Sequence, residues 1–360
     1  IEEFIEKERE KGIITTIETF NFQQYPFDTY ILNPRNDYKT NKIDQYEEEL
    51  LFFRLGDFYE LFFEDALLCS RECELTLTSK NGGLEERIPM CGVPFHSVKP
   101  YIEKLVSKGY KIAICEQLED PKDTKGMVKR GVVQVISKGT VVDYDMLSEH
   151  DNNYIGSVLD FTNLYTITYS DISTGSLYIM EIPRSQDKLI NAVLSLGLKE
   201  VVLLDNSNND LIDLLKNTYG IEVSINTEYL ENRYTDVYKD IKEMRHILGI
   251  KHLMYYLAVK QLKELDHIKA PEIIYPDEYL EMDVHTVRNL ELFETLRLKE
   301  RTYSLIWLLD KTKTAMGSRM LKGWLANPLK DKDGILKRYD MIDVLRNEFI
   351  TKEELMHELD

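Results

Sequence analysis

The 360 residues contain no apolar run approaching the roughly 18 needed to cross a bilayer, and no secretory signal is read at the start. A soluble chain of intracellular type is therefore expected, with no membrane partner. Cysteine is scarce. Cys69, Cys73, Cys91 and Cys115 form no CxxC pair, so reduced thiols are expected rather than a disulfide framework or a metal site. The seven histidines are scattered outside any HExxH pattern, and no metal is indicated. Nucleotide loops are missing as well. Gly126 and Gly131 have the separation of a Walker A loop, but Val132 stands where the phosphate-binding Lys belongs, and neither GxGxxG nor GxSxG occurs. Basic charge is in deficit, 45 Lys and Arg against 63 Asp and Glu for a net charge of -18, which at first argues against phosphate contacts.

What the chain does contain is apolar material, 43%, sufficient for more than one packed core. Its length points to two or three domains, because single cores stop growing at about 250–300 residues. The charge is also uneven. Between Arg87 and Thr140 ten basic residues stand against five acidic, a local excess of +5. A polyanion partner stays open there beside the plainer reading of solvated helix faces. No internal repeat or low-complexity tract is found. The sequence opens on Ile1 and stops at Asp360 inside the helical pattern TKEELMHELD, and is read as a fragment.

Four stretches follow one another. Residues 1–33 hold a short amphipathic pattern, IEEFIEKEREKG, and an extended one broken at Pro26. Residues 34–150 alternate helix and strand signals: CELTLTSK as a strand, NGG as a turn, RIPMCGVPFHS as an irregular Pro/Gly loop, KPYIEKLVSKGYKIAICEQ as a helix closed by Gly109 and then a strand, and VVQVISKGTVVD as a strand pair. In residues 151–235 the hairpin-like strands IGSVLDF, LYTITYSD and STGSLYIMEI precede a β-α-β-α-β alternation that ends in IEVSIN, a second α/β domain. From 236 onward the strands vanish. IKEMRHILGIKHLMYYLAVKQLKEL reads as a long helix interrupted at Gly249, and Leu305, Leu308, Leu309, Thr312, Met316, Met320 and Trp324 trace one face of another that halts at Pro328. ILKRYDMIDVLRNEF and KEELMHEL follow as further helices. The fold class is α/β plus α.

One stretch, LLFFRLGDFYELFFEDA at 50–66, resists a single reading. Residues 50–54 are an apolar run of strand length, Leu55-Gly56-Asp57 is a turn, and Tyr59, Phe62, Phe63, Ala66 and Leu67 recur at helical spacing. Asp57 then serves as N-cap and Glu60 as its capping-box partner. That accounts for Glu60 but leaves Phe58 projecting from the end of the helix. For enzymatic chemistry only carboxylates remain. Asp171, Glu181 and Asp205 close strands of the second domain, where they either converge on a divalent metal or serve as ordinary turn and cap residues.

The run at 50–66, followed by LTLTSKNGG, IPMCGVPFHSVKPYIEKLVSKGYKIAICEQLEDP and KGMVKRGVVQVISKGTV, resembles the N-terminal domain of the MutS mismatch-repair family. SDISTGSLYI resembles the opening of that family's connector, and RNLELFETLR with SLIWLLDKTKTAMGSRMLKGWLANPL resembles the start of its core, or lever, domain. The resemblance implies a mixed-sheet α/β mismatch-recognition domain at 34–150, a ribonuclease H-like α/β connector at 151–235 and the start of an incomplete all-helical lever at 236–360. Residues 1–33 match nothing in the family and form an extension.

The resemblance further implies mispaired or looped duplex DNA as the partner. Phe58 is then the ring that enters from the minor groove and stacks on the mispaired base, and Glu60 the group that hydrogen-bonds it. Lys125, Lys129 and Arg130, from the basic stretch, are the candidate contacts to the DNA backbone. No catalytic residue, metal or cofactor is implied within these residues. ATP with Mg, clamp formation, homodimerisation and a MutL-type partner are implied for the full-length protein, in a cytoplasmic, nucleoid-associated setting, and whether the fragment by itself is monomeric stays open. Two departures from the family pattern bear on loop geometry: Gly131 stands where the family has a charged residue, and Ser137-Lys138 where it has Thr-Pro. Two rivals stay open, an interaction module that binds a repair partner and ignores heteroduplex, and a metal-dependent nuclease on Asp171, Glu181 and Asp205.

Overall fold

The computed structural model describes residues 48–80, 87–118, 130–141 and 151–359. These pack as two units that divide between Val135 and Ile136. The extension at 1–33, the NGG turn, Lys125 and Lys129 lie outside the described residues.

The first unit is built on a 6-stranded sheet in the order β3-β4-β2-β1-β5-β6. Its strands are β1 (Leu50–Leu55), β2 (Phe58–Phe62), β3 (Thr78–Lys80), β4 (Ile88–Pro94), β5 (Ile112–Gln117) and β6 (Arg130–Ile136). α1 (Phe63–Cys73) packs on β2 and β4, and α2 (Lys99–Ser107) packs on α1. Cys69, Cys73, Cys91 and Cys115 are all buried.

Two expectations for this unit are corrected. The helix does not begin at Phe58, and Asp57 and Glu60 form no capping box: residues 58–62 are a strand, and α1 starts at Phe63. The letters FYELFF satisfy a period of two as well as one near 3.6. What decides is non-local, since β1 and β4 hydrogen-bond β2 from both sides. Likewise RIPMCGVPFHS is no irregular loop but contains β4. Its prolines stand where β4 has a neighbour on one side only. Pro89 faces Ser79 of β3, beyond the last β2 pair at Met90, and Pro94 faces Phe58 of β2, past the end of β3. A missing N–H at such a place need not break a ladder.

The second unit contains another 6-stranded sheet, ordered β11-β10-β7-β8-β9-β12. β7 (Tyr154–Asp160), β8 (Leu164–Asp171) and β9 (Ser176–Pro183) form an antiparallel meander. β10 (Glu200–Leu203) runs parallel to β7, β11 (Glu222–Ile225) parallel to β10, and β12 (Glu272–Ile274) parallel to β9. One face packs Val158, Ile167, Val201 and Leu203 against α3 (Gln186–Leu196) and α4 (Asn209–Asp213). The other packs Ile155, Ile179 and Val202 against Ile250, Leu253 and Met254 of α5 (Met244–Tyr255). The sequence reading ended the α/β pattern near 235; the structure carries it further, with α5 and β12 completing the layer. An amphipathic pattern states that a helix has an apolar side but not what that side meets.

Gly249 does not interrupt α5. It is buried, and a Cβ there would stand 2.3 Å from Thr168 Oγ1 on β8. Alanine is the better helix former by about 1 kcal/mol, whereas forcing a methyl into such a contact costs about 1–3 kcal/mol. Gly249→Ala is therefore expected to lower the urea midpoint; a raised midpoint would show that helix propensity outweighs the contact.

Further along, the single helix expected over 305–324 is two. α6 (Leu305–Leu309) is capped by Ser304 and α7 (Ala315–Ala326) by Thr314. Between them Asp310 accepts from the Thr312 backbone N–H at 3.2 Å and hydroxyl at 2.6 Å, a local turn that competes with helix continuation. α8 (Lys332–Asn347) and α9 (Phe349–Leu359) follow. Leu308, Met316 and Met320 of the predicted apolar face are exposed.

Candidate nucleic-acid interface

Phe58 is the first residue of β2, immediately after the two-residue turn Gly56-Asp57, and pairs across to Leu55. Gly56 has φ +56, the conformation that the first position of such a turn needs and that glycine adopts at little cost. The Phe58 side chain is 46% exposed, so the ring is accessible at the hairpin tip. Its lateral neighbours on the same face are Leu55 of β1 and Pro94 of β4, which support the ring without covering it.

Glu60 lies two residues on. In a strand, residues two apart share a face and stand about 7 Å apart along it, whereas in a helix they would point to different sides. The strand assignment therefore brings Phe58 and Glu60 together, which the helical reading would have separated. Across from Glu60 stand Phe53 of β1 and Gly92 of β4. A Cβ at Gly92 would meet Tyr59 O at 3.2 Å and Glu60 Cγ at 3.5 Å, so the glycine leaves a notch beside the base of the Glu60 side chain.

Of the three basic residues singled out, Arg130 is described. Its Nε donates to Arg54 O at 3.1 Å and its guanidinium lies 5.5 Å from the centre of the Phe53 ring, the residue directly opposite Glu60. It is half-buried and committed at least partly to holding β1. Beside it, a Cβ at Gly131 would stand 3.0 Å from Leu118 Cδ1. The second departure has a local explanation: Ser137 Oγ donates to Glu200 at 2.5 Å, and Lys138 Nζ to Gly220 O at 2.8 Å.

The sequence reading missed Tyr59 and Arg54, opposite one another on the reverse face of the same hairpin. Tyr59 is buried and donates its hydroxyl to Glu116. Burial, with the Glu116 carboxylate adding to it, pushes the Tyr59 phenol up to about 12. The signal that could have found them is the strand alternation itself.

The proposed carboxylate metal site does not form. Asp171 pairs with Ser176 while Glu181 pairs with Thr166, five residues away along β8, which is about 17 Å in a strand. Asp171 accepts from Ser173 N at 3.0 Å and Ser173 Oγ at 2.6 Å, the pattern of a turn residue. Glu181 lies 3.1 Å from His246 Nε2 and 3.5 Å from Arg245 Nε. Asp205 is exposed beyond β10, which is separated from β8 by β7. Among the described residues no three His, Cys, Asp or Glu side chains gather as a metal set, and no helix is long and apolar enough to cross a membrane.

Comparison with known proteins agrees with the resemblance. Residues 36–145 match the family model of MutS domain I, and residues 285–360 that of MutS domain III. The chain is similar to the DNA mismatch repair protein MutS of Bacillus cereus and to that of Bacillus thuringiensis strain Al Hakam, each 42% identical over 316 residues. The match covers 87% of this chain and 36% of each relative, so the chain spans about a third of their length. With both domain models in order along the sequence and that identity over most of it, the chain belongs to the MutS family.

Proposed function

We propose that the first unit reads duplex DNA for mispaired or looped bases, with Phe58 as the wedge and Glu60 as the base contact. The observation that carries this reading is the pairing of an exposed ring at a hairpin tip with a carboxylate on the same strand face, beside the notch left by Gly92. The minor groove is poor in sequence code, so a reader there can ignore sequence and respond to deformability. A wedge must unstack a base step at a cost of a few kcal/mol, least where pairing is already compromised. Stacking on the aromatic ring returns roughly 1–3 kcal/mol. The same contact is tried everywhere and succeeds where the duplex yields cheaply.

Glu60 works against DNA binding in general, because a carboxylate near phosphates is repelled unless a base N–H is available to it. Glu60→Ala is expected to tighten binding to matched duplex and to narrow the gap between matched and mismatched DNA. Competition binding at fixed salt measures both, and an unaltered homoduplex affinity would overturn the electrostatic part of the account. Lys125, Lys129 and Arg130 are assigned to the DNA backbone in the same reading.

The three-strand meander continued by parallel β10 and β11 supports a ribonuclease H-like connector. ATP with Mg, clamp closure, homodimerisation and a MutL-type partner belong, in this reading, to the intact protein. The interaction-module alternative is less favoured, since a surface that had stopped reading DNA would have no use for a large exposed ring backed by a shaped notch.

A further inference from the structure

The residue between Phe58 and Glu60 faces the opposite way, and what it touches is organised around the hairpin tip. The Tyr59 ring is buried, meets Phe52 edge-on at 6.2 Å, and sends its hydroxyl to Glu116 Oε1 on β5. Arg54, directly across from Tyr59, places its guanidinium 5.5 Å from the Tyr59 ring centre and Nη1 3.8 Å from the same Glu116 oxygen. Arg54 Nε donates to Gly56 O at 2.5 Å, and its guanidinium lies 3.7 Å from the centre of the Phe95 ring. The Phe95 backbone N–H donates to Asp57 O at 2.9 Å. Both turn residues that precede Phe58 are thus tied down, Gly56 by Arg54 and Asp57 by Phe95, and Arg54 and Tyr59 are tied in turn to β5 through one carboxylate.

This arrangement matters to a wedge for a mechanical reason. A ring inserted into a base step experiences the resistance of that step, and a tip that gives way before the stack does will fold back wherever resistance is met. Discrimination requires a tip stiffer than the DNA it tests. We propose that Arg54, Tyr59, Glu116 and Phe95 form a brace on the reverse side of the sheet, and that its stiffness sets how well Phe58 separates mismatched from matched duplex. Arg54, Tyr59 and Glu116 are positioning residues in this scheme and need not touch DNA. The inference rests on the reader role given to Phe58. Because Tyr59 keeps its proton throughout the neutral range, its hydroxyl is a constant donor to Glu116.

The test is made in the full-length protein with Tyr59→Phe, which removes one oxygen, and with Glu116→Ala and Glu116→Gln. Affinities for a mismatched and a matched duplex are measured side by side, with a 2-aminopurine base next to the mismatch whose fluorescence rises on unstacking. Tyr59→Phe and Glu116→Ala are expected to weaken the heteroduplex complex about five- to tenfold, the scale of one ordinary hydrogen bond. Homoduplex affinity should hold, the melting temperature should fall by a few degrees at most because Glu116 is partly exposed and water can replace it, and the fluorescence rise should shrink. Glu116→Gln keeps an acceptor for the Tyr59 hydroxyl and is expected to recover most of the ratio lost in Glu116→Ala. A wild-type ratio in both Tyr59→Phe and Glu116→Ala overturns the brace, as does an equal loss for both duplexes. If Phe58→Ala in parallel still abolishes the preference, the reader role survives that failure. A wild-type ratio in Phe58→Ala removes the reader and the brace together.

Discussion

Phe58→Ala in the intact protein is expected to erase the preference for mismatched over matched duplex while leaving homoduplex binding nearly unchanged. The ring is exposed at the tip of a hairpin, so its removal opens no cavity in the core and should leave the melting temperature in place. What is lost is the base–aromatic stack, worth roughly 1–3 kcal/mol, or about 5- to 150-fold in affinity at the mismatch. Binding to matched DNA comes mainly from phosphate contacts, whose strength and salt slope the substitution does not touch. Competition between heteroduplex and homoduplex at two salt concentrations separates these contributions. Phe58→Trp, which preserves a stacking surface, should retain most of the preference. A variant without the ring that discriminates as well as the wild type would remove the basis of the proposed function.

The second large effect is expected from Glu200→Ala, and it falls on stability. Glu200 is the first residue of β10 and is completely buried. Its Oε2 accepts from Ser137 Oγ at 2.5 Å and Gly139 N at 3.1 Å, and its Oε1 from Ser224 Oγ at 2.7 Å and Tyr256 OH at 2.6 Å. One carboxylate thus joins the turn that opens the second unit, two strands of its sheet and the segment following α5. Gly139 is required for the approach, since a Cβ there would stand 2.7 Å from Glu200 Cβ. Removing the acceptor leaves several buried donors without a partner, each at about 1–3 kcal/mol before relaxation. A loss of roughly 3–5 kcal/mol is expected, in the range of an uncompensated buried polar network. Hydrogen exchange at the amides of β7, β10 and α5 reads it directly. Glu200→Gln should lie between, because its NH2 faces hydroxyls that are already donating. Protection factors in Glu200→Ala within about tenfold of the wild type, some 1.4 kcal/mol, would show that the donors find other partners.

How much of this was legible in the sequence differs element by element. The meander of β7, β8 and β9 was readable, because strand-length runs rich in Tyr, Ile, Val and Leu, alternating with polar residues in β8, are separated by turns that carry Gly and Asp. β4 was not readable: two prolines and a glycine describe a loop locally, and only the uneven reach of β3 and β2 makes them tolerable in a strand. Gly249 looked like an interruption because its effect on an isolated helix is unfavourable, whereas its reason lies on β8. The carboxylates at strand ends looked convergent because sequence records that each closes a strand but not at which end of the sheet.

The sequence by itself determined the family, the α/β-then-helical order of the chain, and the identity of Phe58 and Glu60 as the residues to watch. Only the tertiary structure decided that those two side chains face the same way and that Tyr59 and Arg54 stand opposite each other on the reverse face. The physical reason is that FYELFF is compatible with both helical and strand periodicity, so local energetics leave the choice nearly even. Hydrogen bonds from β1 and β4, formed between segments distant in sequence, tip it, and with it the direction in which every side chain of β2 points.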